Sequence, residues 1–280
     1  MIRGVDVSNH QDRIDWARAK KAGVRFAFVK ASEGVGFTDP KFRAHVQGAK
    51  TAGIKTGAYH FARPDTSSGS TIATARSDAR AEADFFLALA APRRGDLLPA
   101  LDLETAGLPP ALMVEWTRAW LERVRGRIGA RPLLYTYPAF WSSLGETTAF
   151  RNFPLWIANY EVDAPTLPRG WRAHTIWQYT SSGSIPGIAG RTDVNQLGEA
   201  VTLRDLAYHP AKKEPTPPQN LPGPVPKPAW FWPWLSWKLG VGEFVGLGRN
   251  EAVRPDEAPQ EIPDWARRCA EKLAAERAHR

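Results

Sequence analysis

The sequence predicts an α/β protein whose main domain is a distorted (β/α)8-like barrel with a flattened second half. Eight short apolar runs, each of strand length, lie within residues 1–209, and amphipathic segments of helical periodicity separate the early ones. Strands that alternate with helices form a parallel sheet, and eight such strands can close into a barrel. The later runs have no long helical segments between them, which predicts the departure from the regular plan.

The strands are predicted from runs rich in apolar and β-branched residues. In chain order they cover residues 2–7, 24–30, 54–61, 97–103, 132–137, 154–159, 174–179 and 192–196. Helices are predicted where apolar residues recur every three or four positions, at 15–22, 39–52, 70–91 and 109–129. The second of these helices begins at Asp39 with Pro40 in its first turn, which is a favourable helix start.

Residues 210–228 contain eight prolines among nineteen residues and divide the chain. Proline lacks a backbone N–H and fixes its own φ, so this stretch should behave as a semi-rigid extended spacer. We therefore predict a barrel domain at 1–209, a linker at 210–228 and a small, mainly helical module at 229–280. The module has four tryptophans within residues 230–237, and an amphipathic helix is predicted to begin near Pro263.

Composition excludes several functional classes. A single cysteine, Cys269, rules out an internal disulfide, and the six histidines lack the spacing of metal ligands, so no metal or other cofactor is predicted. No apolar run approaches the roughly 18 residues of a membrane-spanning helix. No nucleic-acid-binding motif accompanies the net charge of +8. The N-terminus lacks the pattern of a secretory signal, so we expect synthesis in a cytosol.

Polar residues cluster where the predicted strands end. A barrel of this type places function at the C-terminal ends of its strands, and these positions hold acids, aromatic residues and amides. They are Asp6, Lys30 with Glu33, Tyr59 with His60, Asp102 with Glu104, Tyr135, Asn159 with Tyr160, Gln178 and Asp193. We expect His60 to be structural and the others to surround a site.

Asp102 and Glu104 end an apolar strand and are two residues apart. Side chains at this spacing point to the same face of a strand, about 6.6 Å apart along the backbone. Two carboxyl groups so close raise each other's pKa, so one can stay protonated near neutral pH. Glycoside hydrolysis needs this division between an acid and a carboxylate. The alternatives for such a pair are a metal site and a solvated loop.

An ordered set of segments resembles the glycoside hydrolase family 25 muramidases, which include phage endolysins. The set begins with Gly-Val-Asp-Val-Ser-Asn-His-Gln at 4–11, Phe-Val-Lys-Ala-Ser-Glu-Gly at 28–34, Gly-Ala-Tyr-His-Phe at 57–61 and Leu-Asp-Leu-Glu at 101–104. It continues with Leu-Tyr-Thr at 134–136, Leu-Trp-Ile-Ala-Asn-Tyr at 155–160, Trp-Gln-Tyr at 177–179 and Asp-Val-Asn at 193–195. The resemblance covers about residues 1–206 and does not extend beyond the linker.

The resemblance implies hydrolysis of the β-1,4 bond between N-acetylmuramic acid and N-acetylglucosamine. By position, Glu104 would be the general acid/base, and Asp102 would stabilise the substrate's acetamido group or, alternatively, attack directly. Asp6 and Asp193 would complete an acidic floor. The candidates for binding the glycan are Lys30, Glu33, Tyr59, Tyr135, Trp156, Tyr160 and Gln178. Spacing alone is compatible with a substrate-assisted, retaining reaction and with an inverting one.

Two other functions are alternatives. A chitinase-like hydrolase also has Asp-x-Glu at the end of a barrel strand, but residues 99–101 here are Pro-Ala-Leu rather than its spaced aspartates. A non-catalytic glycan-binding barrel would be expected to have lost the acids.

The expected partner is bacterial peptidoglycan, without nucleic acid and without membrane insertion. The architecture fits a phage lysin that is made in the host cytoplasm and reaches the cell wall through a lesion made by a holin. The C-terminal module would then bind the wall and raise the local concentration of the enzyme. The alternative is that its tryptophans form a core of their own or dock on the barrel.

Overall fold

The computed structural model describes residues 1–65 and 70–210, which form a closed barrel of eight strands. The barrel strands are β1 (Arg3–Val7), β2 (Val24–Glu33), β4 (Lys55–Phe61), β5 (Ala100–Asp102), β6 (Leu133–Thr136), β7 (Leu155–Ala158), β8 (Ile176–Gly183) and β9 (Thr192–Leu197). A short strand, β3 (Phe37–Thr38), pairs with β2 outside the barrel. Because β1 pairs with both β2 and β9, the sheet closes. The predicted fold class is confirmed.

Five helices connect the early strands. They are α1 (Trp16–Lys21), α2 (Phe42–Thr51), α3 (Ile72–Ala90), α4 (Pro110–Ile128) and α5 (Pro138–Ser143). The first four correspond to the predicted helices, whereas the six-residue α5 between β6 and β7 was not predicted. Within the described residues, no helix lies between β7 and β8 or between β8 and β9, so the second half departs from the regular plan.

The direction of β9 differs from the parallel sheet that the sequence predicted. β9 runs antiparallel to both β8 and β1, because only residues 184–191 connect β8 to β9. A parallel connection needs a crossover of a dozen or more residues. Asp193, which the sequence analysis placed at the end of a strand, therefore lies near the start of β9. The reversal brings it opposite Asp6, at the end of the barrel where the parallel strands finish.

Large aromatic side chains fill the barrel interior. Phe26, Phe28 and Trp156 lie there, and the Phe28 and Trp156 rings are 4.7 Å apart. Gly4 and Gly57 leave room for them, since a Cβ atom at either position would lie 2.4 Å from a phenylalanine ring. The outer faces of the strands pack against the helices. Apolar side chains therefore fill much of the barrel interior.

The remaining predictions on domain organisation concern residues that are not described. The proline-rich linker from residue 211 onward and the module at 229–280 lie outside the described residues, so these assignments stay predictions. In the part of the chain that is described, no helix is long and apolar enough to cross a membrane.

Candidate active site

Four carboxyl groups lie at the end of the barrel where the parallel strands finish. Asp6 on β1 pairs with Asp193 on β9, Asp102 is the last residue of β5, and Glu104 follows two residues later. The pKa values of Asp102, Glu104 and Asp193 are raised. Burial is the largest cause for each, followed by the charges of neighbouring carboxylates that include Asp6. The structure thus brings together the four acids that the sequence analysis proposed as catalytic.

Asp6 is buried and held by two amides. Asn195 Nδ2 donates to Asp6 Oδ2 at 2.6 Å, and Gln178 Nε2 donates to the two carboxylate oxygens at 3.0 and 3.2 Å. Burial raises the pKa of Asp6 to about 6, although both amides oppose the shift. Burial and the charges of Asp6 and Glu104 raise the pKa of Asp193 to about 8. Asp193 therefore keeps its proton to a higher pH than Asp6 does.

Asp102 and Glu104 differ in accessibility. Asp102 is 9% exposed, and its Oδ1 accepts no hydrogen bond from the described residues. Burial and the charges of Glu104 and Asp6 raise its pKa well above the usual range. Glu104 is partly exposed, and burial and the charge of Asp6 raise its pKa, while Lys30 and Arg63 lower it. Glu104 can therefore retain a proton and still meet a ligand.

A cationic pair borders these acids. Lys30 forms an ion pair with Glu33, and Arg63 Nε donates to Glu33 Oε1 at 2.7 Å. Lys30 Nζ and Arg63 Cζ lie 4.6 and 4.7 Å from the centre of the Phe61 ring. Burial of Glu33 acts to raise its pKa, but the hydrogen bonds from Lys30 and Arg63 outweigh it and lower the pKa. Glu33 is therefore ionised and holds the two cations in place.

Tyrosines and a glutamine line the rest of this end of the barrel. Tyr135 Oη and Tyr160 Oη both donate to Gln178 Oε1, at 3.0 and 2.5 Å. Gln178 therefore links both tyrosines to Asp6. Tyr160 is 39% exposed and offers a ring surface to a ligand, whereas Tyr59 and Tyr135 are buried at the barrel end.

The environment of Trp156 differs from the predicted one. Its ring is 2% exposed and lies 5.0 Å from that of Tyr135, so it has almost no surface for a sugar to stack on. Its Nε1 donates to Asn195 Oδ1 at 2.8 Å. The geometry supports a different part for this side chain, which is to orient Asn195 and thereby Asp6. The sequence made Trp156 a candidate for binding the glycan, with packing at the barrel rim as the alternative, because an exposed and a buried indole look alike in a sequence.

Two residues of the site were not proposed from the sequence. Asn195 follows Asp193 by two positions, so it shares the same strand face and could have been found by the alternation rule. Arg63 gave no local signal, because its contact with Glu33 joins residues 30 positions apart.

His60 lies in the barrel wall, away from the group of four acids. No three His, Cys, Asp or Glu side chains among the described residues are arranged to bind a metal. His60 is fully buried, and its ring nitrogens contact Ser32 Oγ at 2.9 Å and Glu82 Oε2 at 2.7 Å. It follows Tyr59 in β4, so its side chain points to the opposite face, toward α3. This is the structural position that was expected.

An α/β barrel with buried acids of raised pKa at the C-terminal ends of its strands defines a class of protein, the glycoside hydrolases with paired carboxyl groups. Comparison with known families agrees, because the family described as glycosyl hydrolases family 25 matches residues 5–188. The chain belongs to this family, and it is a glycoside hydrolase of the lysozyme type.

Known relatives cover the barrel domain. The N,O-diacetylmuramidase of Chalaropsis sp is 39% identical over 212 residues, which are 69% of this chain and 96% of that protein. The bacterial lysozyme of Streptomyces coelicolor has a similar structure, with a TM-score of 0.66, 33% identity, and coverage of 73% of this chain and 95% of that one. The structure of the CTP1L endolysin matches with a TM-score of 0.57 and 28% identity over 71% of this chain and 67% of that one.

Proposed function

We propose that this enzyme is an N-acetylmuramidase that cleaves the β-1,4 bond between N-acetylmuramic acid and N-acetylglucosamine in bacterial peptidoglycan. The observation that carries the proposal is the pairing of a partly exposed acid of raised pKa, Glu104, with the buried Asp102. The similarity to a protein named as a muramidase supports this choice of substrate.

Glu104 acts as the general acid in this proposal. Its proton passes to the glycosidic oxygen as the bond to the anomeric carbon breaks. In a retaining reaction the resulting Glu104 carboxylate then takes a proton from the water that attacks the anomeric carbon, whereas in an inverting reaction another carboxylate takes that proton. Asp102 assists by accepting a hydrogen bond from the acetamido N–H of the substrate while the acetamido oxygen attacks the anomeric carbon. Alternatively, Asp102 attacks the anomeric carbon itself, which requires that it first lose its proton, because its pKa is raised. The anomer that forms first distinguishes retention from inversion.

Asp6 and Asp193 form the floor of the site. Ionised Asp6 stabilises positive charge that develops on the sugar ring, and it helps to keep Glu104 protonated by raising its pKa. Lys30, Tyr59, Tyr135 and Tyr160 are proposed to contact the glycan. Glu33 is proposed to hold Lys30 in position, and the buried Gln178 to hold Tyr135 and Tyr160.

Glu104→Gln tests the assignment, because glutamine keeps the shape of the side chain but has no proton to donate. We expect turnover to fall by about a hundredfold or more. Purified peptidoglycan is digested with the parent and the variant, and the released fragments are reduced with borohydride and identified by mass spectrometry. Reduced muramic acid ends from the parent alone are the expected result. Reduced glucosamine ends would change the bond assigned, and no release from several walls by either protein would favour a non-catalytic glycan-binding barrel.

We further propose that the chain acts as an endolysin, made in the host cytoplasm and reaching the cell wall after a holin opens the membrane. The similarity to the CTP1L endolysin supports this role. The full chain is expressed in a bacterium whose purified wall it digests, with and without a co-expressed holin. Lysis should require both the holin and Glu104, so Glu104→Gln with the holin is the control. Equal lysis without the holin would argue for another route to the wall.

A further inference from the structure

A second cleft lies at the opposite end of the barrel, where the parallel strands begin. Its volume is about 620 Å³, and it adjoins a second depression that shares Arg151, Asn152, Trp171 and Arg172 with it. Arg131 also lines the cleft. The three arginines are exposed, and within residues 1–65 and 70–210 none of their side chains forms an ion pair or a hydrogen bond.

The barrel topology places these arginines side by side. Arg131 precedes β6, Arg151 precedes β7 and Arg172 precedes β8, each by two to four residues. The three strands are neighbours in the sheet and run parallel. Adjacent strands are about 4.8 Å apart, so the loops that enter them bring the three arginines into the lining of one cleft.

The lining of the cleft has a positive balance. Asp205 is its one acidic side chain among the described lining residues, and Asp205 Oδ2 accepts hydrogen bonds from Thr202 N at 2.8 Å and from Thr202 Oγ1 at 2.7 Å. Three arginines and one aspartate leave a lining charge of +2. Arginines without a partner at an exposed cleft favour an anionic ligand.

We propose that this cleft binds a polymer of phosphodiester-linked polyols and so gives the enzyme a second, non-catalytic contact with the bacterial cell wall. A guanidinium group matches a phosphate with two parallel hydrogen bonds, and a row of three matches a repeating phosphate chain. The inference rests on the proposed function only in naming the wall as the source of the polymer.

The cleft is poorly suited to nucleic acid. Single-stranded nucleic acids bind through bases stacked on exposed aromatic rings. The one aromatic ring besides Phe153 in the described lining is Trp171, which is 9% exposed. Trp171 Nε1 donates to the Phe153 backbone oxygen at 2.9 Å, and its ring packs 5.0 Å from that of Trp141. A phosphodiester chain without bases is the better match.

The test measures binding of the full-length protein to fluorescently labelled poly(glycerol phosphate) by anisotropy at low salt. The variant Arg151→Gln/Arg172→Gln removes two cleft charges. Its matched control, Arg43→Gln/Arg80→Gln, removes two exposed arginines from α2 and α3. We expect the affinity to fall by about tenfold or more in the cleft variant, because charge-assisted hydrogen bonds are lost. The control should stay within about twofold of the parent.

Several outcomes would overturn the proposal. If the parent does not bind the probe, the cleft is not a site for this polymer. If both variants lose affinity equally, the binding is only a general effect of charge. Polyglutamate that competes as well as the probe would make the cleft a carboxylate site. A DNA oligonucleotide with the same dependence on Arg151 and Arg172 would make it a nucleic-acid site. Thermal midpoints check that the variants fold, and the probe has no muramidase-sensitive bond, so the result is independent of Glu104.

Discussion

Glu104 and Asp102 are both carboxylic acids, and their different surroundings give them different chemistry. Burial is the largest cause of the raised pKa at both, but it is more complete at Asp102. The charge of Arg63 opposes the shift at Glu104. The identity of the two acids could be predicted from Asp-x-Glu on a strand. Their unequal exposure could not, because it depends on side chains that arrive from distant parts of the chain.

Asn195→Ala tests how Asp6 is held. The pKa of Asp6 should rise further above its present value of about 6, because one of the two side-chain donors that oppose the effect of burial is lost. The free energy of unfolding should fall by about 1–3 kcal/mol, because the buried Trp156 Nε1–H loses its acceptor. An NMR titration of the Asp6 carboxyl carbon and urea denaturation measure the two effects.

The control for this variant is Gln196→Ala. Gln196 is the next residue of β9, so its side chain points to the other face of the strand. Both the titration of Asp6 and the stability should stay close to those of the parent. An unchanged Asp6 titration in Asn195→Ala would show that this hydrogen bond does not set the pKa.

The secondary structure elements could largely be predicted, because apolar periodicity is a local property. All eight barrel strands and the helices α1 to α4 lie close to the predicted ranges. The strand β3 has two residues, too few to show a period, and the six-residue helix α5 was missed although α1, which has the same length, was found. The direction of β9 follows from the short connection of residues 184–191 that joins it to β8. The prediction ended β8 at residue 179, so it left a gap long enough for a parallel crossover.

Gly57→Ala tests how tightly the elements of the barrel pack. A Cβ atom at this position of β4 would lie 2.4 Å from the Phe28 ring and 3.1 Å from Leu97 Cβ. Trp156, whose ring centre is 4.7 Å from that of Phe28, limits the movement of the phenylalanine. We expect the free energy of unfolding to fall by about 1–3 kcal/mol, measured by urea denaturation.

Gly126→Ala in α4 is the matched control. Nothing lies within 4 Å of a Cβ atom at this position, so alanine adds no clash. It should stabilise the protein by up to about 1 kcal/mol, because glycine is a poor helix former. If Gly57→Ala and Gly126→Ala are equally stable, the barrel interior can expand around Phe28. Close packing then does not limit the size of the side chain at position 57.

Over the whole molecule, the charge of the site is opposite to that of the chain. The chain has a net charge of +8, whereas four carboxyl groups meet at one end of the barrel. A net positive charge attracts the chain to an anionic polymer, whereas the four acids are proposed to act on the bound glycan. Gathering acids at a buried site is unfavourable when they ionise, so the stability of the fold should depend on pH.

The free energy of unfolding should fall as the pH rises from about 4 to about 8. Burial raises the pKa of Asp6 to about 6 and that of Asp193 to about 8, from 3.8 for both, so in this window the folded protein holds protons that the unfolded chain has lost. Asp193→Asn replaces the acid with a neutral group of the same shape. The variant should match the parent near pH 4 and be more stable at pH 8. Because Asp193 is partly exposed and solvent screens its charge, we expect about 1–3 kcal/mol rather than the full value of the pKa shift.

Urea denaturation across this pH range measures the difference, with Asp163→Asn as the control. Asp163 is exposed in the connection between β7 and β8, and its replacement should change the stability by less than about 0.5 kcal/mol at every pH. The comparison of variant with parent removes the contribution of groups elsewhere in the chain. Parallel profiles for Asp193→Asn and the parent would mean that Asp193 ionises in the folded protein as easily as in the unfolded chain. The crowding of the four acids would then not lower the free energy of unfolding. The conclusion that burial keeps a proton on Asp193 in the folded protein would be wrong.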